Sequence, residues 1–515
     1  MFVSTQTVPA VVLDAGSRLT KAGFAGADLP QYLFPSTVGC YVGDAVSADD
    51  AAPKSSGSGS VVGYENLLGS ADRVRFLEVR SAFDEDGIIH DWAAFEGLLD
   101  YTYQRLGVFP EDHALLVVEP SHNPKRPREE LCQVLFEKYS VPAVYFGRSA
   151  ALACVSAGRH TGLVLDCGAS GVTAAPVLEG NVIKPSVLRS RVAGGNAITR
   201  AAAELLGGLE AIQPAYAFRR TTLGSGIDGH RAPQRKRSAA ELSTAASSDD
   251  SSDADDQVDL FRATSSASGS AEEETLEKRA EYHLELLDVR DITRSYADFA
   301  RLEVAEDFKH HICCVDRELG PVADSSDSEI DPDAAASAPA KENVPDTEPR
   351  ADPNMPPITY ELPDGTQVSI GQERYRPAEL LFQTLPHART LKEDRPFLAY
   401  IRERERGPST SKGIAGMVAD AIRRCEGAQH REMFAGVVLT GGSSVLPGLS
   451  DRLQTELYFY HSRSRVHAAA NPMERKYMAW TGGSILATFV EFQQNWFSRA
   501  EYLESGVTLV QKRCP

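Results

Sequence analysis

The chain is poor in the features that mark several large classes of protein. No stretch of about eighteen or more apolar residues occurs, which excludes a membrane-spanning helix. Its eight cysteines in 515 residues include no CxxC and no regular spacing, as suits a reducing compartment better than a disulfide frame or a zinc site. Basic residues are in deficit, with 53 Lys and Arg against 72 Asp and Glu. The resulting formal charge of −19 argues against general or direct sequence-specific DNA binding. GxxxxGK[ST] is absent, so a Walker-type phosphate loop is excluded. The opening MFVSTQTVPAVVLDAG has no basic n-region and no small-residue cleavage site, and no secretory signal is expected. What is present, 42% hydrophobic and 24% charged residues, fits a soluble intracellular protein with core enough for two or more domains.

The acidity is concentrated. Segments 238–275 and 321–355 carry −9 and −7, or −16 of the −19, and are rich in Ser, Ala, Asp and Pro. Such composition cannot bury enough surface to offset ordering entropy, so both are expected to be disordered insertions. Segment 45–60, with its SSGSGS run, is a third weak stretch. Within the first insertion, short apolar or helical patterns at 258–261 and 275–287 point to partial structure.

Elsewhere the patterning is strong. Apolar runs of strand length recur at 10–13, 114–118, 162–165 and 436–439. Helical periodicity spans 91–106, with Trp92, Phe95, Leu99 and Leu106 on one face. It returns at 412–425, capped by Ser411, with Ile414, Met417, Val418, Ala421, Ile422 and Cys425 aligned. Pro127 is placed to open a helix through Leu131, Leu135 and Tyr139. Interleaved strands and helices define an α/β protein.

Two segments about 150 residues apart resemble each other, VVLDAGSRLTKAG from Val11 and LVLDCGASGVTAA from Leu163. Each is an apolar strand, an Asp-x-Gly turn and a second strand. At such a turn Gly admits phosphate to the backbone, successive N–H groups cradle an anion, and the Asp holds hydrated Mg²⁺. Asp14 and Asp166 would face the metal across a cleft; Ser17 adds a hydroxyl and Lys21 an ammonium for the phosphates. A single Asp-x-Gly is more often an ordinary hairpin turn, and it is the repetition that favours the phosphate reading. A third turn, VVLTGGSSVLPG, joins a strand to a helix at 449–457. There Gly441 and Gly442 would let backbone lie against a purine and ribose.

These residues carry a resemblance. LDAGSRLTKAGFAG is similar to the first phosphate loop of actin, and four further segments resemble actin in the right order: YELPDGTQVSIGQERYRPAELLF, the 439–453 turn, ERKYMAWTGGSILATFVEFQQ and 501–514. The resemblance to the actin superfamily covers the chain apart from its insertions. It implies an actin-like ATPase fold, two related domains around a nucleotide cleft. The small domain would be 1–156 and 478–515, and the large domain 157–477 with insertions at about 219–290 and 318–355. It also implies that ATP or ADP with Mg²⁺ is held by Gly16, Ser17 and Lys21, then Gly168, Ala169 and Ser170, with Gly194. Gly441, Gly442, Ser443 and Ser444 would line the adenosine, flanked by Lys309 and Lys476, with Asp14 and Asp166 at the metal. Where the family has a ribose-binding Glu, His310 stands here. A solvated helix face is the alternative for Lys309 and His310.

Actin orders its attacking water with a Gln, an Asp and a His. By resemblance Ser149 stands at the Gln. The other two fall on Ala169 and Thr173, or on Ser170 and Ala174 in a register shifted by one. Losing such groups removes about 10²–10⁴ in rate, so ATP binding without appreciable hydrolysis is expected. The second loop and the closing VQKRCP are similar to the actin-related subunits of BAF-type chromatin complexes. That implies a nuclear scaffold, with a cytoplasmic pool also allowed. Its partners would be nuclear actin and a helical segment of a remodelling ATPase or acetyltransferase scaffold; the acidic insertions would either contact histones or serve simply as solubilising loops. The triplet Arg235–Lys236–Arg237 is either an import signal or simply solvated. The competing reading is an actin-like cytoskeletal protein that polymerises or caps filaments; a sugar kinase or chaperone-type ATPase has no use for the C-terminal segments.

Overall fold

The computed structural model describes residues 10–42, 60–222, 282–287, 289–317, 356–382, 400 and 413–515. Segments 238–275 and 321–355, residues 45–59 and the cap position Ser411 lie outside them.

Two six-stranded sheets organise the chain. The first contains β1 (Val11–Ala15), β2 (Leu19–Phe24) and β3 (Tyr32–Pro35), with β6 (Leu115–Glu119), β7 (Ala143–Arg148) and β18 (Phe497–Ser498). Beside it lies the hairpin of β4 (Thr37–Tyr41) and β5 (Leu77–Ser81). The second sheet contains β8 (Gly162–Cys167), β9 (Val172–Leu178), β10 (Asn181–Val182), β11 (Leu188–Ser190), β16 (Val437–Thr440) and β17 (Val466–His467). Two further ladders complete the strands: β12 (Phe218–Thr222) with β13 (Tyr282–Leu286), and β14 (Ile358–Glu361) with β15 (Gln367–Ile370). The β12–β13 ladder falls largely in a separate compact unit, Arg219–Glu285. The helical pattern expected across 275–287 is thus overturned at Tyr282–Leu286, where pairing with β12 decides the conformation.

The sequence repeat has a structural counterpart. β1 forms an antiparallel hairpin with β2 and runs parallel to β6; β8 forms one with β9 and runs parallel to β16. Each sheet, with the helices packed on it, makes one lobe. Val11, Leu13, Leu115 and Val117 build one core, and Leu163, Leu165, Val437 and Leu439 the other. The alternate residues Val12 and Leu116, and Val164 and Val438, are buried on the opposite faces of the same strands, which explains the unbroken apolar runs.

Helix α1 (Trp92–Leu106) forms as its periodicity dictates. Asp91 caps its start by accepting from Ala94 N, and Gly107, at φ 67°, ends it. Helix α2 (Lys125–Gln133) begins two residues before Pro127, which sits third, where a missing N–H still costs no helical bond. Leu135 falls beyond it, in a π-helical turn, Val134–Lys138. Helix α3 (Ser149–Ser156) lies between the lobes. Helix α4 (Gly195–Leu205) and helix α5 (Arg294–Ile312) pack together in the second lobe. Helix α6 (Gly413–Arg423) buries the expected apolar face but stops two residues short of Cys425. Helix α7 (Leu449–Tyr460) follows the third glycine turn, and helix α8 (Pro472–Thr488) returns to the first lobe as one continuous element. None of the described helices is long and apolar enough to cross a membrane.

α3 and α8 are the joint between the lobes. Leu152 and Trp480 pack with Val12 and Leu116 of the first sheet, while Ala150, Ala153 and Met478 pack with Val164 and Val438 of the second. Trp480 Nε1 donates to Val12 O at 3.0 Å. A side chain at Gly482 would overlap the Leu152 carbonyl, so glycine sets this close helix approach.

A buried charge cluster sits in the second lobe. Arg452 Nε donates to Glu456 at 2.7 Å and Nη1 to the Asp316 carbonyl at 2.8 Å, leaving Glu379 3.6 Å from Nη1. Neither Glu379 oxygen has a hydrogen-bond partner among the described residues. Burial pushes its pKa up to about 7, with Arg452 opposing and Glu456 and Asp316 assisting. The folded value lies above the ordinary 4.5, so this stability is complete below pH 4.5 and is lost as pH rises through 7. Replacing Glu379 with Gln should remove this slope, on the order of 3 kcal/mol between those limits, in urea melts across the range.

Candidate nucleotide cleft

The two duplicated hairpins meet between the lobes. In the first, Asp14 lies opposite Lys21 in register and accepts from its Nζ at 2.6 Å. The turn between them is tight, with Gly16 N donating to Leu19 O at 3.2 Å. In the second, Asp166 lies opposite Thr173, and residues 168–171 form the turn. Gly195 N and Asn196 N, at the start of α4, donate to Gly168 O and Ala169 O, each at 2.9 Å. A Cβ on Gly194 would lie 2.6 Å from Gly171 N, so this crossing requires glycine. Ser170 Oγ accepts from Arg189 Nη2 at 3.0 Å.

The acidic pair is close enough to matter electrostatically. Burial, and then the Asp14 charge, push the Asp166 pKa up to about 6, against Lys21 and Arg189. Two adjacent carboxylates in such a position suit a cation. Among the described residues no group of three or more His, Cys, Asp or Glu could hold a metal. Mg²⁺ needs only one or two carboxylates, with water and substrate phosphate filling its shell.

The third turn closes the other side. Gly441 has φ +96°, and a Cβ there would lie 2.5 Å from Asp166 Oδ1 and 2.7 Å from the Cys167 backbone. Ser444 Oγ donates to Gly441 O at 2.6 Å, and Ser443 is buried against Gly195. Gly442, by contrast, has no atom within 4 Å of an added Cβ.

Cations converge here from three elements. Lys309, in the last turn of α5, is 2% exposed, which overturns the solvated-face alternative for it; Nζ donates to Glu306 Oε1 at 2.7 Å and to Thr199 Oγ1 at 3.2 Å. His310 Nε2 lies 3.1 Å from the same Glu306 oxygen. Burial, with Lys21 and Lys309 adding to it, lowers the Lys476 pKa. Burial would raise the Glu306 carboxyl, but Lys309 and Arg18 hold it well below the usual range.

Several participants carried no signal in the sequence. Arg18, between Ser17 and Leu19, forms an ion pair with Glu303 at 3.0 Å. Beside the two turns Asp86 accepts from Arg191 Nε at 2.6 Å and faces Arg189 Nε at 3.5 Å. His122 stays neutral beside Arg189, its pKa pushed down to about 4 by burial and by that guanidinium. Gly87 packs against both loops, its Cβ position 2.8 Å from Ser170 Oγ and 3.8 Å from Ser17 Cβ.

The groups expected for hydrolysis can also be placed. Thr173 shares the Asp166 face of the hairpin, because directly opposed residues project to one side; Ala174, opposite Leu165, is buried in the core. Ser149 starts α3 with its Oγ 3.2 Å from Ser121 Oγ. A Gln, Asp or His stands at none of these positions.

The duplicated hairpins, the joint helices and the glycine turn agree with sequence comparison, in which the actin family model matches residues 5–258 and 261–515. The chain belongs to the actin family. Actin-related protein 4 of Oryza sativa subsp. japonica is 29% identical over 536 residues, covering 99% of each chain. Actin-related protein 4 of Arabidopsis thaliana is 28% identical over 538 residues with the same coverage. The SWI/SNF and RSC complexes subunit arp42 of Schizosaccharomyces pombe is 28% identical over 521 residues, covering 99% of this chain and 100% of its own.

Proposed function

We propose that this actin-family chain is a nuclear, ATP-binding and poorly or non-hydrolysing architectural subunit of a chromatin-remodelling or histone acetyltransferase complex. The observation that carries the reading is end-to-end similarity to actin-related protein 4 and to a relative named as a SWI/SNF and RSC subunit. The cleft supports the nucleotide part. Lys21, Gly16, Ser17 and the 168–170 turn with Gly194 would hold the phosphates, and Asp14 and Asp166 the Mg²⁺. The 441–444 turn, Lys309 and Lys476 would hold the adenosine. Bound Mg²⁺ would neutralise the carboxylate pair and the phosphate charge.

With Ser149 and Thr173 where a water-orienting Gln and a His would act, the cleft binds and encloses rather than cleaves. The expected partners are an actin monomer and a helical scaffold segment, with histones at the acidic segments 238–275 and 321–355. Purification of the tagged full chain from nuclei, followed by mass spectrometry, tests the assignment. Recovery of a remodelling ATPase or acetyltransferase scaffold together with actin is expected. Recovery of only cytoskeletal or motor proteins, or ATP-dependent filaments in a pelleting assay, would favour the cytoskeletal alternative.

A further inference from the structure

Arg18 and Glu303 come from opposite lobes. Arg18 lies in the first phosphate hairpin, next to Ser17, while Glu303 lies on α5, whose C-terminal half is anchored in the second core by Phe308 and Ile312. Their side chains meet at 3.0 Å and are each about one-fifth exposed, so solvent screens the pair only partly. The Tyr64 hydroxyl, on the short helix Tyr64–Leu67, faces the same carboxylate.

The N-terminal half of α5 is tied to the first lobe by further bonds. Val79 N donates to Ser295 Oγ at 3.0 Å, Tyr296 Oη to Leu67 O at 2.9 Å and Thr293 Oγ1 to Leu77 O; Phe76 N reaches Asp291 O at 3.0 Å. These all lie toward the start of the helix. The Arg18–Glu303 pair lies further along α5, beside the hairpin, where the Arg18 charge also acts on Glu306 and Lys476. Of the ties from α5, it is the one carried by a residue of the phosphate hairpin itself.

We propose that Arg18 and Glu303 form a lobe-to-lobe latch that sets how long a nucleoside triphosphate with its divalent cation stays in the cleft. The inference rests on the nucleotide-binding reading above. While the pair is made, phosphoryl groups at the two hairpins are enclosed; for the ligand to leave, α5 must separate from the hairpin. Removing either partner abolishes the attraction that holds α5 to the hairpin at this point. The two side chains therefore act on release as one unit, and removing both gains nothing over removing either.

The test uses the full chain loaded with Mg²⁺ and a fluorescent N-methylanthraniloyl-ATP, chased with excess unlabelled MgATP. Arg18→Met and Glu303→Gln are each expected to speed release by about tenfold or more. The double variant should match the faster single variant, and Arg18→Lys should fall between Arg18→Met and the wild type. Arg128→Met, which lowers stability through Glu119, Gln511 and Cys514 and contacts neither Arg18 nor Glu303, should leave release within about twofold of the wild type. Unchanged release in both single variants, or accelerations that multiply in the double variant, would overturn the latch while leaving nucleotide binding in place. Absence of any uptake by the wild-type chain would overturn both.

Discussion

Replacing Arg128 with Ala should destabilise the protein by about 3–5 kcal/mol, the usual cost of leaving one partner of a buried ion pair alone. Arg128 is 1% exposed and binds three things at once. Its Nε and Nη2 donate to Glu119, at 3.1 Å for Nε, and its Nη1 donates to the backbone carbonyl of Cys514 and reaches Gln511 at 3.4 Å. Without it Glu119, itself buried, keeps only Asn123 at 2.8 Å and a long approach from Arg148 at 3.7 Å. The Cys514 carbonyl loses its donor, so the last turn, Val510–Arg513, loses a tie to α2. Denaturant midpoints give the cost, and hydrogen exchange at 507–514 should quicken. The double variant Arg128→Met/Glu119→Leu should recover most of the loss, because two apolar groups of similar volume leave no unpaired charge. If Arg128→Ala costs under about 1 kcal/mol, the pair is solvated rather than buried.

Gly441→Ala should abolish the stabilisation conferred by MgATP. Its φ of +96° is a conformation that glycine alone adopts freely, and the added Cβ would strike Asp166 Oδ1 and the Cys167 backbone. The proposed adenosine turn and the proposed metal carboxylate would be disturbed together. Ligand at a hundredfold excess over Kd stabilises by about 2.7 kcal/mol, and that increment should vanish in Gly441→Ala. The fold itself should weaken by about 1–3 kcal/mol from strain and overpacking. Gly442→Ala gives the contrast: with no atom within 4 Å it should melt like the wild type yet bind MgATP differently. Equal MgATP shifts in all three proteins would remove the third turn from the site.

Much of this was legible in the sequence, for local reasons. Apolar runs ending in Asp-x-Gly predict two equivalent hairpins because strand, turn and register are all short-range; Asp14 and Asp166 accordingly occupy matching penultimate positions of β1 and β8. Helix α1 was equally readable from its periodicity, while its Asp91 cap and Gly107 stop are seen in the structure. What escaped was set by distant partners. Arg18 reads as an ordinary loop residue until Glu303 is brought beside it, and Gly482 as a helix-weakening glycine until Leu152 is seen against it. Lys309 and His310 are neighbours on one helix, yet packing of α5 on α4 buries the first far more completely than the second. Strand β13 lost its helical character to pairing with β12.

The central claim is that the cleft holds a nucleoside triphosphate without cleaving it. It is tested most directly by a single-turnover experiment with γ-labelled ATP and Mg²⁺ on the purified full chain, separating intact nucleotide from free phosphate over time. Stoichiometric label should be retained as ATP, with phosphate release no faster than in buffer, because Ser149 and the Asp166-facing Thr173 offer no actin-like water-orienting Gln or His. Stoichiometric phosphate release within the lifetime of the complex, or no retained nucleotide at all, would contradict the account.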